Sequence, residues 1–312
     1  MKRKVGSVSR VHIKKTSMAL LALIFFAANS VLCRMALDSD MIDPATFTSV
    51  RLISGAIMLS VLLLFFSDPV SLNDSPEETK KQTFSFFQAP VEYWLAAAML
   101  FLYASAFSFA YMYLDTAIGA LVLFAFVQLT MLTYAHWQEG GASGIESIGI
   151  LVSVCGLGYL VSPGFHSPDL WGITLMAVSG IAWGLYSILG KRMSVSMLLS
   201  SKVNFTLSLV FIGPLFLLNM PAMKMSVEGL TLAALSGAFA SALGYVAWYW
   251  VVKQFTSIQS GVMQMSVPVI AGLFAILFMG EQLNLRLLIA GTVILFGIAI
   301  TFLGKSQSVA AE

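Results

Sequence analysis

The sequence predicts an all-α membrane protein whose ten transmembrane helices form two inverted five-helix repeats, and three observations carry that class. Hydrophobic residues make up 58% of the 312-residue chain and charged residues only 10%, against about 25% charged in a soluble domain. With a mean hydropathy of +0.88, no soluble core hides so much apolar surface. The apolar residues also fall into runs of a length that, at about 1.5 Å per helical residue, matches the roughly 30 Å core of a bilayer. Finally, the spacing of these runs in the second half repeats that of the first.

Taken in order, residues 1–15 carry six basic side chains (Lys2, Arg3, Lys4, Arg10, Lys14 and Lys15) immediately before an apolar run. That run is too long for a signal peptide and has no small-residue cleavage site, so a retained first span is expected. Breaks then divide the chain into spans at 17–36, 45–66, 92–113, 117–136, 146–162, 170–190, 198–218, 229–251, 257–279 and 285–303. The corresponding division is a cytoplasmic segment 1–16, a first repeat 17–162, a second repeat 163–305 and a cytoplasmic tail 306–312. Loops are short except 67–89, which is too small for a domain. The last two spans form a hairpin across Gly280-Glu281-Gln282-Leu283-Asn284, and Pro268, in the middle of the first of them, is expected to bend it beside protein or a cavity.

Basic residues orient the bundle. With the N-terminus inside, thirteen Lys or Arg fall on the cytoplasmic side, including Lys80, Lys81, Lys191, Arg192, Lys202, Lys253 and Lys305, whereas only Lys224 and Arg286 fall opposite. This asymmetry predicts that both termini are cytoplasmic. The net charge of +2 is spread in short clusters between apolar runs, which gives no nucleic-acid surface. Cys33 and Cys155 both lie in apolar runs, so neither a disulfide nor a metal site is expected.

An offset of 142 residues superposes Tyr245 on Tyr103, Gly261 on Gly119, Glu281 on Glu139 and Gly291 on Gly149. Because each copy has five spans, an odd number, the second enters the membrane from the opposite side, as in many secondary transporters, with substrate near the midplane between the copies.

At the level of motifs the chain resembles the EamA-type members of the drug/metabolite transporter superfamily. The resemblance rests on 25–34 in the first span, on Pro44 followed by Arg51-Leu52, on Ala182-Trp183-Gly184-Leu185-Tyr186, and above all on Val267-Pro268-Val269 followed by Met279-Gly280-Glu281. It covers nearly all of 16–305. The first half departs from the pattern, with Phe126 or Val127 where a proline is expected and Ala27-Ala28 where Trp-Gly is frequent. The resemblance implies ten helices, inverted five-helix repeats, and export or exchange of small metabolites, often amino acids; the expected location is the bacterial inner membrane.

Polar and aromatic exceptions inside the spans are the candidate site, since an unsatisfied polar group in lipid is costly. Asn29, Gln128, Asn204 and Gln264 serve either as interhelical glue or as orienting groups for a polar substrate. Tyr245, Trp248 and Tyr249 share one helical face and Trp183 and Tyr186 another; Tyr103 and Phe107 mirror Tyr245 and Tyr249 under the offset. Packing or an interfacial belt is the competing account of these aromatics. The substrate-binding set is therefore Asn29, Tyr103, Gln128, Trp183, Tyr186, Asn204, Tyr245, Trp248 and Gln264, with Pro268, Gly280 and Glu281 as conformational residues. Arg34 and Arg51 are expected to snorkel to an interface, Arg51 having the alternative of pairing with a carboxylate substrate.

All fifteen Asp and Glu fall in loops or near span ends. Facilitated movement or exchange is therefore expected rather than proton antiport. Glu139 and Glu281 are expected to cap or to pair with a cation such as Arg286. The segment from Gly184 to Lys191-Arg192 fails the phosphate-loop spacing, and the Ser143 loop has no histidine in a span to activate it. No cofactor is expected. The small molecule and the bilayer are the expected partners, and a membrane-embedded enzyme or a receptor is the alternative to transport.

Overall fold

The computed structural model describes residues 2–66, 89–161, 169–193, 195–280 and 285–310. These form helices α1 (Lys2–Asp38), α2 (Pro44–Phe66), α3 (Val91–Ala110), α4 (Thr116–Gln138), α5 (Gly144–Val161) and α6 (Leu170–Arg192) in the first part of the chain. They continue as α7 (Met197–Asn219), α8 (Val227–Val252), α9 (Ser257–Met279) and α10 (Leu285–Ala310). Eight of them, all but α5 and α10, are long and apolar enough to cross a membrane, while α5 and α10 contain shorter apolar stretches, Gly144–Gly156 and Gly291–Leu303, among the described residues. Among those residues, extended pairing is limited to an antiparallel bridge between Ile42 and Met225. The outer surface is apolar, with Leu64, Phe65, Leu218, Leu277 and Phe278 all exposed. Such a surface suits lipid rather than water.

The main helix pairs come in twos. The contact of α3 with α6 is matched by that of α8 with α1, the contact of α4 with α6 by that of α9 with α1, and the contact of α2 with α8 by that of α7 with α3. Each pair becomes the other when the first five helices exchange with the last five. The pairs α2 with α7, α4 with α9 and α5 with α10 map onto themselves.

Local chemistry sets the helix ends. Side chains of Asp169, Ser196 and Ser226 accept from backbone N–H groups in the first turns of α6, α7 and α8, and Thr256 and Gln259 form a reciprocal capping box at α9. These satisfy donors that have no partner within the helix. Gly280 closes α9 in the left-handed conformation at φ 71°, a conformation that glycine adopts without steric cost. Glu281 lies outside the described residues.

Two spans depart from regular α-helix. The bend expected at Pro268 is instead a break: α9 divides into Ser257–Gln264 and Val267–Met279, so Pro268 occupies the first turn of the second half. A missing N–H costs nothing at that position, and Pro268 is buried against protein. In α8, residues Ser236–Leu243 form a π-helix. Its i→i+5 spacing sets Ser236 and Ser241 toward Asn29 and Arg51, to which they are hydrogen-bonded. A Cβ added at Gly237 would stand 2.1 Å from the Arg51 carbonyl oxygen. That close crossing of α2 and α8 holds Arg51 against α8.

Packing of α5 on α10 is closer still, because a Cβ on Gly149 would lie 2.5 Å from the Thr301 nitrogen and 2.6 Å from the Gly297 carbonyl oxygen. Gly149→Val should therefore destabilise the protein by about 1–3 kcal/mol through forced separation of the two helices. Gly213→Ala, where nothing lies within 4 Å of the added carbon, should be neutral or slightly stabilising. Thermal unfolding of both variants in detergent checks this, and equal midpoints would contradict the close contact.

Candidate functional site

The cluster at the junction of α1, α2, α3, α6 and α8 is built around a cation. Arg51 enters on α2 and its side chain is 1% exposed. Its Nε donates to Ser241 Oγ at 2.9 Å, and its Nη2 donates to the Tyr103 hydroxyl at 3.0 Å and the Tyr245 hydroxyl at 2.6 Å. The guanidinium carbon also lies 5.1 Å from the ring centre of Tyr103 and 5.3 Å from that of Phe107. Nη1 is buried and has no hydrogen-bond partner. All of its hydrogen-bond partners are neutral hydroxyls. Arg51 therefore does not snorkel to an interface as the sequence suggested, because the crossing of α2 and α8 encloses it.

Asn29 joins the same cluster: its Oδ1 accepts from Ser236 Oγ and its Nδ2 donates to the Tyr103 hydroxyl at 3.4 Å. The two tyrosines that the 142-residue offset relates thus meet on one guanidinium. Trp183 packs among them, tilted against Tyr103 at 4.9 Å and Tyr245 at 4.7 Å and edge-on to Phe26 at 5.1 Å. Its indole N–H donates to Gln264 Oε1 at 2.6 Å. A void of about 10 Å³ lies beside these rings, lined by Phe26, Ser30, Tyr103, Phe107, Leu123, Phe124 and Trp183. That is room for about one water molecule.

The remaining candidates divide into two groups. Tyr186, Asn204 and Trp248 form a second layer: Tyr186 stacks on Trp183 and Tyr249, Asn204 Nδ2 donates to the Tyr249 hydroxyl at 2.9 Å, and Trp248 Nε1 donates to Ser187 Oγ at 2.8 Å. Gln128 stands apart at 1% exposure, with neither amide atom hydrogen-bonded. A Cβ at Gly261 would meet its Oε1 at 2.3 Å, so glycine at 261 makes room for this amide. Phe26, Phe107, Ser236 and Ser241 belong to the cluster although sequence reasoning did not select them as site residues. The serines carry no periodic signal, and Phe26 is one phenylalanine in an apolar run.

Ionic clusters occupy the two ends of the bundle. At the C-terminal end of α4, Glu139 accepts from Lys191 Nζ at 2.6 Å and from both the backbone and the hydroxyl of Ser257, tying α4, α6 and α9 together. Glu139 therefore caps and pairs as expected, with Lys191 as its cation, while the Arg286 side chain lies outside the described residues. At the opposite end of α4, Arg34 pairs with Asp38 and Asp115. Nearby Asp43 accepts from Asn219 Nδ2 at 2.6 Å and from the Lys224 backbone N–H at 3.0 Å. Among the described residues there is no cluster of three or more His, Cys, Asp or Glu able to hold a metal.

The fold and the site define a polytopic helical membrane protein with a buried polar and aromatic centre. The EamA-like transporter family matches residues 170–303, the part that contains Trp183 and Pro268. An uncharacterized protein of Pseudomonas aeruginosa is 39% identical over 295 residues, covering 95% of this chain and 96% of the relative. An uncharacterized transporter of Clostridium kluyveri is 22% identical over 93% of each chain, and another from Archaeoglobus fulgidus is 26% identical over 69% of this chain and 78% of its own. A crystal structure of a protein with 17% identity superposes with a TM-score of 0.73 over 93% of this chain and 98% of the other. The chain belongs to the EamA-like transporter family.

Burial pushes the Glu139 carboxyl up, but the hydrogen bonds from Lys191 and Ser257 outweigh it and hold the group below its ordinary value of 4.5. A depressed carboxyl pKa adds stability above the unfolded value and loses it as pH falls through the folded value. Replacing Glu139 with Gln should cost thermal stability near about pH 7, and the difference from the parent should shrink as pH falls below 4.5 and through the lowered value of the folded state. Unfolding midpoints across that range check it, and a pH-independent difference would contradict the assignment.

Proposed function

We propose that this protein is a secondary transporter, an exporter or exchanger of small organic metabolites such as amino acids or related compounds. It works across the bacterial inner membrane by alternating access. The single observation that carries the reading is the buried Arg51 cluster, where side chains from both halves of the chain meet beside a small void. A pocket with mostly apolar walls and a few polar groups is the usual design for a small ligand. The membership in a transporter family supports the same reading.

In this reading α5 and α10 also cross the membrane, giving ten helices in two inverted five-helix repeats, 17–162 and 163–305, with both termini cytoplasmic. The paired helix contacts support the two-repeat organisation, and the charge asymmetry supports the orientation. The ionic clusters at the two ends of α4 then act as gates that open in turn. Asn29, Tyr103, Trp183, Tyr245 and Gln264 take the substrate, Tyr186, Asn204 and Trp248 hold the aromatic wall, and Gln128 offers a second amide. The break before Pro268 and the cap at Gly280 let α9 pivot, with Glu281 beside that cap.

Transport into proteoliposomes from a broad panel of amino acids and other metabolites tests this function. At equal pH on both sides, a substrate should run down its own gradient, because all of the chain's carboxylates fall in loops or near span ends. Gln264→Ala should weaken apparent affinity by about 1–3 kcal/mol, the cost of a lost buried polar contact, while the protein stays monodisperse. Failure of every panel member to move would contradict the transport reading, and accumulation that requires an imposed proton gradient would contradict its mechanism.

A further inference from the structure

Resting on the transport reading, we propose that the substrate is a net anion, a carboxylate on a compact apolar or aromatic body, with its carboxylate held by Nη1 of Arg51. The charge balance of the site leads to this class. A guanidinium has five N–H donors, and here Nε and Nη2 are engaged by Ser241, Tyr103 and Tyr245 while Nη1 has no partner. An unpaired buried charge is among the most costly features of a protein interior. Among the described residues, no carboxylate hydrogen-bonds or pairs with Arg51, and the residues lining the neighbouring void include no Asp or Glu.

A ligand that brings one negative charge completes the site. Arg51 stands one side chain from the void, because Tyr103 and Phe107 both line it and both lie under the guanidinium. Arginine suits carboxylates because its planar N–H groups form charge-assisted hydrogen bonds with their oxygens. A zwitterion would bring the same carboxylate and, with it, an ammonium. That ammonium has no acidic partner in the lining and would rely on ring faces such as Trp183, an attraction weaker than the cost of taking the charge out of water. An amine without a carboxylate would set two cations together. The remaining walls, Phe26, Leu123, Phe124 and Trp183, fit an apolar body.

Matched probes that share one body and differ in charge test the proposal. One set is 3-phenylpropionate, phenylalanine and phenethylamine, and a second, aliphatic set is valerate, norvaline and butylamine. Binding is followed by tryptophan fluorescence and by the unfolding midpoint of the purified protein. The anion of at least one set should bind at least about tenfold more tightly than its zwitterion, with no response to the amines. Arg51→Gln should remove the preference and Arg51→Lys should retain part of it; if Arg51→Gln does not fold, the comparison on the unaltered protein decides alone. Equal or tighter binding of a zwitterion or amine overturns the proposal, as does an absence of response to both anions. Either result leaves the transport reading to the metabolite panel, where a substrate of another charge class would uphold transport and refute the anion.

Discussion

The positive charge of Arg51, buried without an acidic partner among the described residues, is the constraint around which this bundle is arranged. Moving an ion of this size from water into a medium of low polarity costs of order 20 kcal/mol in the idealised limit and still several kcal/mol after relaxation. Three hydrogen bonds to hydroxyls and two ring faces offset part of that for Arg51. Charged hydrogen bonds contribute about 1.5–3 kcal/mol each. Their geometry depends on features elsewhere in the chain: Gly237 lets α2 approach α8, the π-helix aims Ser236 and Ser241, and Trp183 packs Tyr103 against Tyr245. An arrangement this specific is difficult to explain as stabilisation alone, since buried charges seldom add stability over well-packed apolar side chains.

At both ends of the bundle helices are tied by interactions of a different kind. Glu139, Lys191 and Ser257 form a half-buried cluster with a charged hydrogen bond and two further donors on one carboxylate. The opposite end relies on Asp43 with Asn219 and on the more exposed pairs of Arg34 and Lys224. Exposed ion pairs contribute about 0–1 kcal/mol each, so the two ends differ in how firmly they are held. Between them the central void has room for about one water, whereas a pocket of about 360 Å³ lined by Lys15, Thr16, Ala19, Phe255, Met263 and Phe302 opens where α1 meets α9 and α10.

Much of this centre was legible in the sequence, and for a physical reason. Asn29, Tyr103, Trp183 and Tyr245 are polar or aromatic exceptions in lipid-length runs, and the 142-residue offset had already paired Tyr103 with Tyr245. Arg51 was legible as an anomaly but not in its depth. It stands seven residues beyond Pro44, about 10 Å along α2, a distance at which a long side chain can either reach an interface or turn inward, and only the crossing with α8 decides. The helix break before Pro268 and the π-helix in α8 were not legible. A proline at mid-span is compatible with a kink or with a new helix start, and the π-helical segment, packed against α1 and α2, has no proline to mark it. Phe26 is invisible for the opposite reason: nothing distinguishes it from the apolar residues around it until the fold sets it against Trp183, Tyr245 and Trp248.

The most direct measurement asks whether this cluster is a crossing point or a sealed core. A single cysteine at Ser30, which lines the void, in a background where Cys33 and Cys155 are alanine, can be challenged with a small negatively charged thiol reagent in intact cells and in inside-out vesicles. Exposed Asp115 and Arg192, replaced by cysteine one at a time, serve as controls for the two ends. If the centre opens alternately to each side, Cys at 30 reacts from both, and faster with the anionic reagent than with a cationic one of equal size. If it stays unreactive from both sides while the two controls are modified, the cluster is packing and the account of a transport site at Arg51 is wrong.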